Sequence, residues 1–266
     1  SAFSQVPDKQ LAWIDLLALT KDKDRDVKSY AASALISAFS QLSDKQKAWK
    51  DLLRLTSDEY SIVRAKAALA LGSAFSQVPD KQETWNNLHG LIGDEYSDVR
   101  SNAAYTLGSA FSQLPDKQQA LNDLMKLAGD KERNVRSEAA YALGCALFHI
   151  PDKQQVWNEL HRLTNDKESD VRSSTALALG SVFSQAPDKK KAWKDLHRLT
   201  NDKEHNVRSR AAYALGSAYS QLPDKQRGWN NLVRLKSDKD RDVRTSSYYS
   251  LGRFSIFKAS QVENKE

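Results

Sequence analysis

Residues 145–180 read CALFHIPDKQQVWNELHRLTNDKESDVRSSTALALG, and the same 36-residue frame recurs without insertion as 1–36, 37–72, 73–108, 109–144, 181–216 and 217–252. Residues 253–266 follow as a helical extension and polar tail. Inside the quoted unit, apolar residues fall at helical spacing twice, with a polar loop between the two runs. Such a period marks an array in which each unit is one helix pair that cannot bury its apolar stripes alone and does so against its neighbours. The frame predicts an all-α chain, an α-solenoid or α-α superhelix of stacked antiparallel helical hairpins.

Each unit has its own punctuation. The first helix, A, is expected to start at the Pro-Asp step (Pro7, Pro79, Pro115, Pro151, Pro187, Pro223), with proline at the first helical position and aspartate at the positive end of the helix dipole. Unit 2 has Ser43 instead, read as the cap. The second helix, B, is expected to be capped by Asp26, Asp98, Asn134, Asp170, Asn206 and Asp242 and to run about 16 residues, as far as Gln41 in the first unit. Its positions 27, 31, 34, 35, 38, 39 and 42 make one apolar arc, and 26, 30, 33, 37 and 40 the opposite, exposed one. Glycine at 72, 108, 144, 180, 216 and 252 lies inside helix B, where it costs ~1 kcal/mol against alanine. That repeated cost implies close approach of a neighbouring helix at all six places.

Composition narrows the class. With 40% hydrophobic residues, six prolines and ten glycines, the chain is neither disordered nor collagen-like. It has no apolar run near ~18 residues, so no membrane span is expected. The residues of this sequence contain no secretory-signal stretch. The single cysteine, Cys145, excludes an internal disulfide framework and fits a reducing, cytoplasmic setting; it stands where other units carry serine. The net charge of +6 is uneven: the seven units carry 0, +2, −3, 0, −1, +4 and +3, and the tail +1.

The phrase DKERNVRSEAAYALG (130–144), with its equivalents in the other units, resembles the HEAT repeat, and most closely the short subclass shared with phycobilisome-lyase-type proteins. The resemblance implies an armadillo-like helical array with A helices on the convex side and B helices on the concave side. It also implies a structural ladder of aspartates and arginines. Each unit has an aspartate six residues before the basic residue of helix B: Asp22 and Lys28, Asp58 and Arg64, Asp94 and Arg100, Asp130 and Arg136, Asp166 and Arg172, Asp202 and Arg208, Asp238 and Arg244. The helical wheel turns that arginine into the apolar arc, where a guanidinium needs a partner, so the ladder is expected to run between units.

No set of residues points to catalysis or to a cofactor. Trp13, Trp49, Trp85, Trp157, Trp193 and Trp229 share one position of helix A with Leu121, which reads as core. His89, His161 and His197 share another, but equivalent positions on neighbouring units lie ~8–10 Å apart, too far to share a zinc. No carboxylate or cysteine recurs beside them in the sequence. The acidic loops, such as residues 165–170, lack the glycine and terminal glutamate of a calcium loop. No Gly-rich phosphate loop or nucleophile elbow occurs. The chain is accordingly expected to be no enzyme, with no metal and no catalytic residue.

Variation on a constant frame is the functional signal. Position 30 and its equivalents read Tyr30, Lys66, Asn102, Glu138, Ser174, Arg210 and Ser246; position 33 reads Ser33, Leu69, Tyr105, Tyr141, Leu177, Tyr213 and Tyr249. A polar and aromatic face changing over a fixed scaffold suits a binding groove, since tyrosine supplies contact area at low entropic cost. Lys66, Leu69, Asn102, Tyr105, Glu138, Tyr141, Arg210, Tyr213 and Tyr249 are the expected partner-contacting residues of a protein-protein interaction scaffold. The alternatives are a recognition array of a larger multidomain protein, a lyase-like chromophore helper, and a nucleic-acid binder using the basic C-terminal third. Against the last, Lys190, Lys191, Lys194, Arg198, Arg227 and Arg234 belong to helix A, while only Lys66, Arg210 and Arg253 are basic on the B face.

The end units depart from the frame. Unit 1 has Ile36 for glycine, Lys28 for arginine and Ser33; unit 7 replaces Ala-Ala by Ser247-Tyr248, and its helix is expected to continue through Lys258 before residues 260–266 fray. The opening SAFSQVPDKQ repeats a phrase that elsewhere joins two units, which reads as the stub of a helix B from a longer array.

Overall fold

The computed structural model describes residues 2–263. Among them are fourteen α-helices joined by short turns, with no strand. The chain divides into two compact units, residues 1–142 and 143–266. The A helices are α1 (Lys9–Leu19), α3 (Lys45–Leu55), α5 (Lys81–Leu91), α7 (Lys117–Ala128), α9 (Gln154–Leu163), α11 (Lys189–Leu199) and α13 (Lys225–Leu235). The B helices are α2 (Arg25–Ala38), α4 (Ser61–Ala74), α6 (Ser97–Ala110), α8 (Arg133–Ala146), α10 (Ser169–Ser181), α12 (His205–Ala218) and α14 (Arg241–Glu263).

Helix A begins two residues after the expected proline start, and three after it in α9. Asp8, Asp44, Asp80, Asp116, Asp188 and Asp224 are themselves the N-caps, each accepting the amide three residues on, so the proline sits before the cap rather than inside the helix. Asp44, not Ser43, caps α3. In α9 the cap position falls on Lys153, and Asp152 accepts the amide of Gln154 instead. Helix B begins two residues earlier than expected in α2, where Asp24 takes the amides of Asp26 and Val27 and leaves Asp26 in the first turn. Tyr60, Tyr96, Glu168 and Glu204 hold the cap positions of α4, α6, α10 and α12 without a side-chain bond. There the loop aspartate folds the approach: Asp58, Asp94, Asp166 and Asp202 each accept the amide two residues on.

Helix B ends by tightening. Phe39–Gln41, Phe111–Gln113, Phe183–Gln185 and Tyr219–Gln221 form single 3₁₀ turns that bury the aromatic ring, after which Leu42, Leu114 and Leu222 enter the core and the next helix A is capped. The phrase SAFSQ-x-PD is thus a helix stop, a core anchor and a helix start in eight residues.

Five glycines hold the B helices together. A Cβ on Gly72 would lie 2.5 Å from Thr106, on Gly108 2.6 Å from Ala142, on Gly144 2.9 Å from Ala178, on Gly180 2.5 Å from Ala214, and on Gly216 2.4 Å from Ser250. Gly252 is the exception to the sixfold expectation: a Cβ there would meet nothing within 4 Å among the described residues. The tryptophan row is core, fully buried in all but Trp229, which is half-buried. Trp13 donates its indole N–H to Asp51 at 3.0 Å and Trp49 to Thr84 Oγ1 at 2.8 Å, while the buried Trp157 N–H has no acceptor among the described residues. At the C-terminus α14 continues to Glu263, beyond the expected Lys258, and the ring of Phe254 packs on Tyr219 and Trp229. Of the tail expected to fray, residues 260–263 are helical and 264–266 lie outside the described residues.

Candidate functional site

The rungs that space the B helices come first, because they fix the exposed face. Arg64, Arg100, Arg172 and Arg208 each lay the Nε–Nη2 edge on the carboxylate of the next unit, Asp94, Asp130, Asp202 and Asp238, at 2.7–3.0 Å. The aspartate six residues upstream gives not its carboxylate but its main-chain carbonyl: Nη1 of Arg64 donates to Asp58 O and Glu59 O, and Arg100, Arg136, Arg172, Arg208 and Arg244 repeat the pattern. The guanidinia of Arg64, Arg100, Arg172 and Arg208 are therefore pinned along one edge and read a carboxylate with the other.

The charges respond accordingly. Hydrogen bonding to the paired aspartate raises the pKa of Arg64, Arg100, Arg172 and Arg208 above the ordinary arginine value. For Asp94, Asp130 and Asp202 burial is the largest influence and pushes upward, but the arginine and the loop amide together outweigh it and hold the carboxyls below their usual range. For Asp238 the bond from Arg208 dominates, with the same result. Unit 1 breaks the pattern: Lys28, 2% exposed, places Nζ 3.4 Å from the centroid of the Tyr60 ring.

On the exposed side of the first compact unit, Lys66 and Leu69 of α4 are half-buried, and Asn102 of α6 turns back to donate to Ala65 O at 3.3 Å. Tyr105 (41% exposed) and Tyr141 stack face to face, centroids 6.1 Å apart and planes within 10°. Glu138, one turn before Tyr141 on α8, is half-buried, and burial raises its carboxyl pKa. In the second compact unit Tyr213 and Tyr249 stack the same way at 5.6 Å and 9°. One turn before Tyr213 the charge is reversed: Arg210 is exposed and lines an open cleft with His205, Asn206, Ser209, Asp242, Thr245 and Ser246. Position 33 thus forms stacked pairs wherever consecutive units carry tyrosine there within one compact unit, a pairing visible in the 36-residue spacing once B helices are known to pack side by side.

The histidines of helix A hold a feature that the sequence reading missed. His89 Nδ1 lies 2.6 Å from Asp123, and His161 Nδ1 2.7 Å from Asp195. Carboxylates do stand beside two of the three, on the next A helix 34 residues away, where a search along one helix does not find them. His197 instead faces Asn231 at 2.7 Å and takes a bond from Arg227 at Nε2, 3.0 Å. Burial, then the charges of Arg227 and Arg234, lower its pKa. The basic A-helix residues are partly spent on structure, since Arg198 and Arg234 reach back to the helix-ending Thr164 and Thr200.

Helix pairs joined by a repeated rung, with glycine at the closest approach of B helices, define the class: an α-solenoid. The family profile described as HEAT repeats matches residues 86–180, 124–215 and 158–252, and the chain belongs to that family. A comparison with the curated proteins finds no match. Among solved structures the chain is similar to Escherichia coli YibA, at 20% identity and TM-score 0.64, covering 92% of this chain and 82% of YibA. It is also similar to Kap121p bound to Ste12p (15%, TM-score 0.68, 94% of this chain and 30% of that one) and to an engineered protein (24%, TM-score 0.52, 91% and 68%). At these identities the likeness concerns the fold. No helix of the described residues is long and apolar enough to cross a membrane.

Proposed function

We propose that the chain is a non-catalytic protein-binding module, working in the cytoplasm, whose B-helix face receives a protein or peptide, this being the concave side in the family's arrangement. The observation that carries the reading is the pair of tyrosine stacks, Tyr105–Tyr141 and Tyr213–Tyr249, standing on rungs that do not vary while the charge beside them does. Stacked rings on fixed helices present apolar area with little rotamer entropy left to lose on binding. Kap121p, of which this chain matches 30%, was solved bound to Ste12p, so a fold of this kind holds a protein ligand. The test is a quantitative pull-down with the wild type, with Tyr105, Tyr141 and Tyr213 all changed to alanine, and with Lys126, Asn158 and Lys194 of the A helices changed to alanine. Partners lost with the first triple and kept with the second support the B face. Partners kept with the first triple sink it.

A further inference from the structure

We propose a second docking site, separate from the tyrosine face: the end of α14 around Arg244, which takes a carboxylate from an acidic side chain of a partner protein that is not itself a further repeat. Four arginines in this chain show what the group does when held this way. Arg64, Arg100, Arg172 and Arg208 all pin Nη1 on two main-chain carbonyls and all grip an aspartate carboxylate with the Nε–Nη2 edge. Arg244 has the same tether, Nη1 to Asp238 O at 2.8 Å and to Lys239 O at 2.9 Å, and no carboxylate among the described residues reaches its other edge. Arg244 is half-buried and its guanidinium is already oriented by the two carbonyls, so a carboxylate meets a preset bidentate fork and little side-chain freedom is lost.

The surroundings say what kind of molecule brings that carboxylate. One turn further along the same face of α14 stands Tyr248, 60% exposed. Its equivalents in the other six units are Ala32, Ala68, Ala104, Ala140, Ala176 and Ala212, none more than 2% exposed. Two of those alanines mark where the next B helix lies against the one before it: Thr106 Oγ1 donates to Ala68 O at 3.1 Å and Ser250 Oγ to Ala212 O at 2.9 Å. A tyrosine there fills the volume that another repeat's backbone would need, and overpacking of this kind is destabilising. A Cβ on Gly252, the close-approach glycine of this unit, correspondingly would meet nothing within 4 Å among the described residues. The same argument disfavours a second copy, although Asp22 offers the other half of a rung, its Oδ1 taking the amide of Asp24 at 2.8 Å as the ladder aspartates do. The fork was kept and the helix-stacking surface was not. A segment that places an acidic side chain in the fork and an apolar group on the Tyr248 ring fits both facts.

The experiment follows arginine Nε–Hε signals of the ¹⁵N-labelled full chain during titration with three probes. These are the acetylated, amidated peptide of residues 129–134, the same peptide with asparagine for its aspartate, and inorganic phosphate. Arg244→Lys assigns the Arg244 signal, and the Tyr248 backbone amide gives a second readout. The expected result is a saturable shift of Arg244 and Tyr248 with the aspartate peptide, ~10-fold weaker with the asparagine form, while the four rung arginines stay still. In Arg244→Lys the Tyr248 amide should stop responding. The proposal is overturned if Arg244 does not move, if all arginines move together, or if phosphate acts and the peptide does not. It is equally overturned if sedimentation shows head-to-tail assembly of the chain that is abolished by Asp22→Asn and by Arg244→Lys alike, because the occupant would then be another copy.

Discussion

Tyr105–Tyr141 and Tyr213–Tyr249 are built alike and dressed differently. Beneath the first runs the rung Arg100–Asp130 and the glycine contact Gly108–Ala142; beneath the second, Arg208–Asp238 and Gly216–Ser250. One turn away, the first has the half-buried carboxyl of Glu138 and the second the exposed guanidinium of Arg210. The lesson is a division of labour within each helix: the inward positions hold the spacing, and the outward ones are free to change sign without disturbing it.

The comparison is most severely tested at the rungs. Arg100→Met and Arg208→Met each leave a mostly buried aspartate without its partner, and each should cost about 3 kcal/mol in chemical denaturation. Equal losses would show that the frame is the same under both pairs; a loss below ~1 kcal/mol at either would break it. Next come the glycines. Gly108→Ala drives a Cβ into the backbone of Ala142 and should cost ~2–3 kcal/mol, whereas Gly216→Ala meets chiefly the Ser250 side chain and should cost less. Gly252→Ala, with open space around it, should stabilise by up to ~1 kcal/mol.

Acid should weaken both regions together. Asp94, Asp130, Asp202 and Asp238 have folded-state pKa values below the unfolded ~3.9, so their contribution is full above about pH 4 and is lost as pH falls through the lower folded values. A melting temperature that held steady from pH 5 to pH 2 would contradict the rungs. The two stacks themselves should be worth little to folding: Tyr105→Ala and Tyr249→Ala are each expected to cost ~0.5–1.5 kcal/mol. Smallest of all is the charge beside them. Glu138→Gln removes a carboxylate whose charged form burial disfavours, and should leave stability at neutral pH unchanged or raise it by ~0.5 kcal/mol, while Arg210→Gln should change nothing measurable.

Much of the frame could be read from the chain because it is local and periodic. The 36-residue period, the two apolar stripes and the buried arginine follow from spacing along one helix. Contacts offset between units could not be read the same way. His89 meets Asp123 and Trp49 meets Thr84 at separations of 34 and 35, which no pattern within a unit reveals. The helix starts slipped for a related reason: aspartates were abundant enough near each loop that only the direction of their hydrogen bonds told cap from first turn. Gly252 shows the opposite error, a pattern extended one step past the neighbour that explains it. Of the candidate surface, the tyrosine rows were legible in the sequence, but their stacking required the sideways packing of B helices.

The rung and the glycine contact are both made between one unit and the next, at fixed offsets of 30 and 34 residues. Removing residues 73–108 whole would hand Arg64 the carboxylate of Asp130 and lay Gly72 against Ala142, partners of the same kind in the same places. Removing half of that segment would strand both. The chain is therefore granular in length: it can be shortened or extended by whole units with its joints intact, and by almost nothing in between.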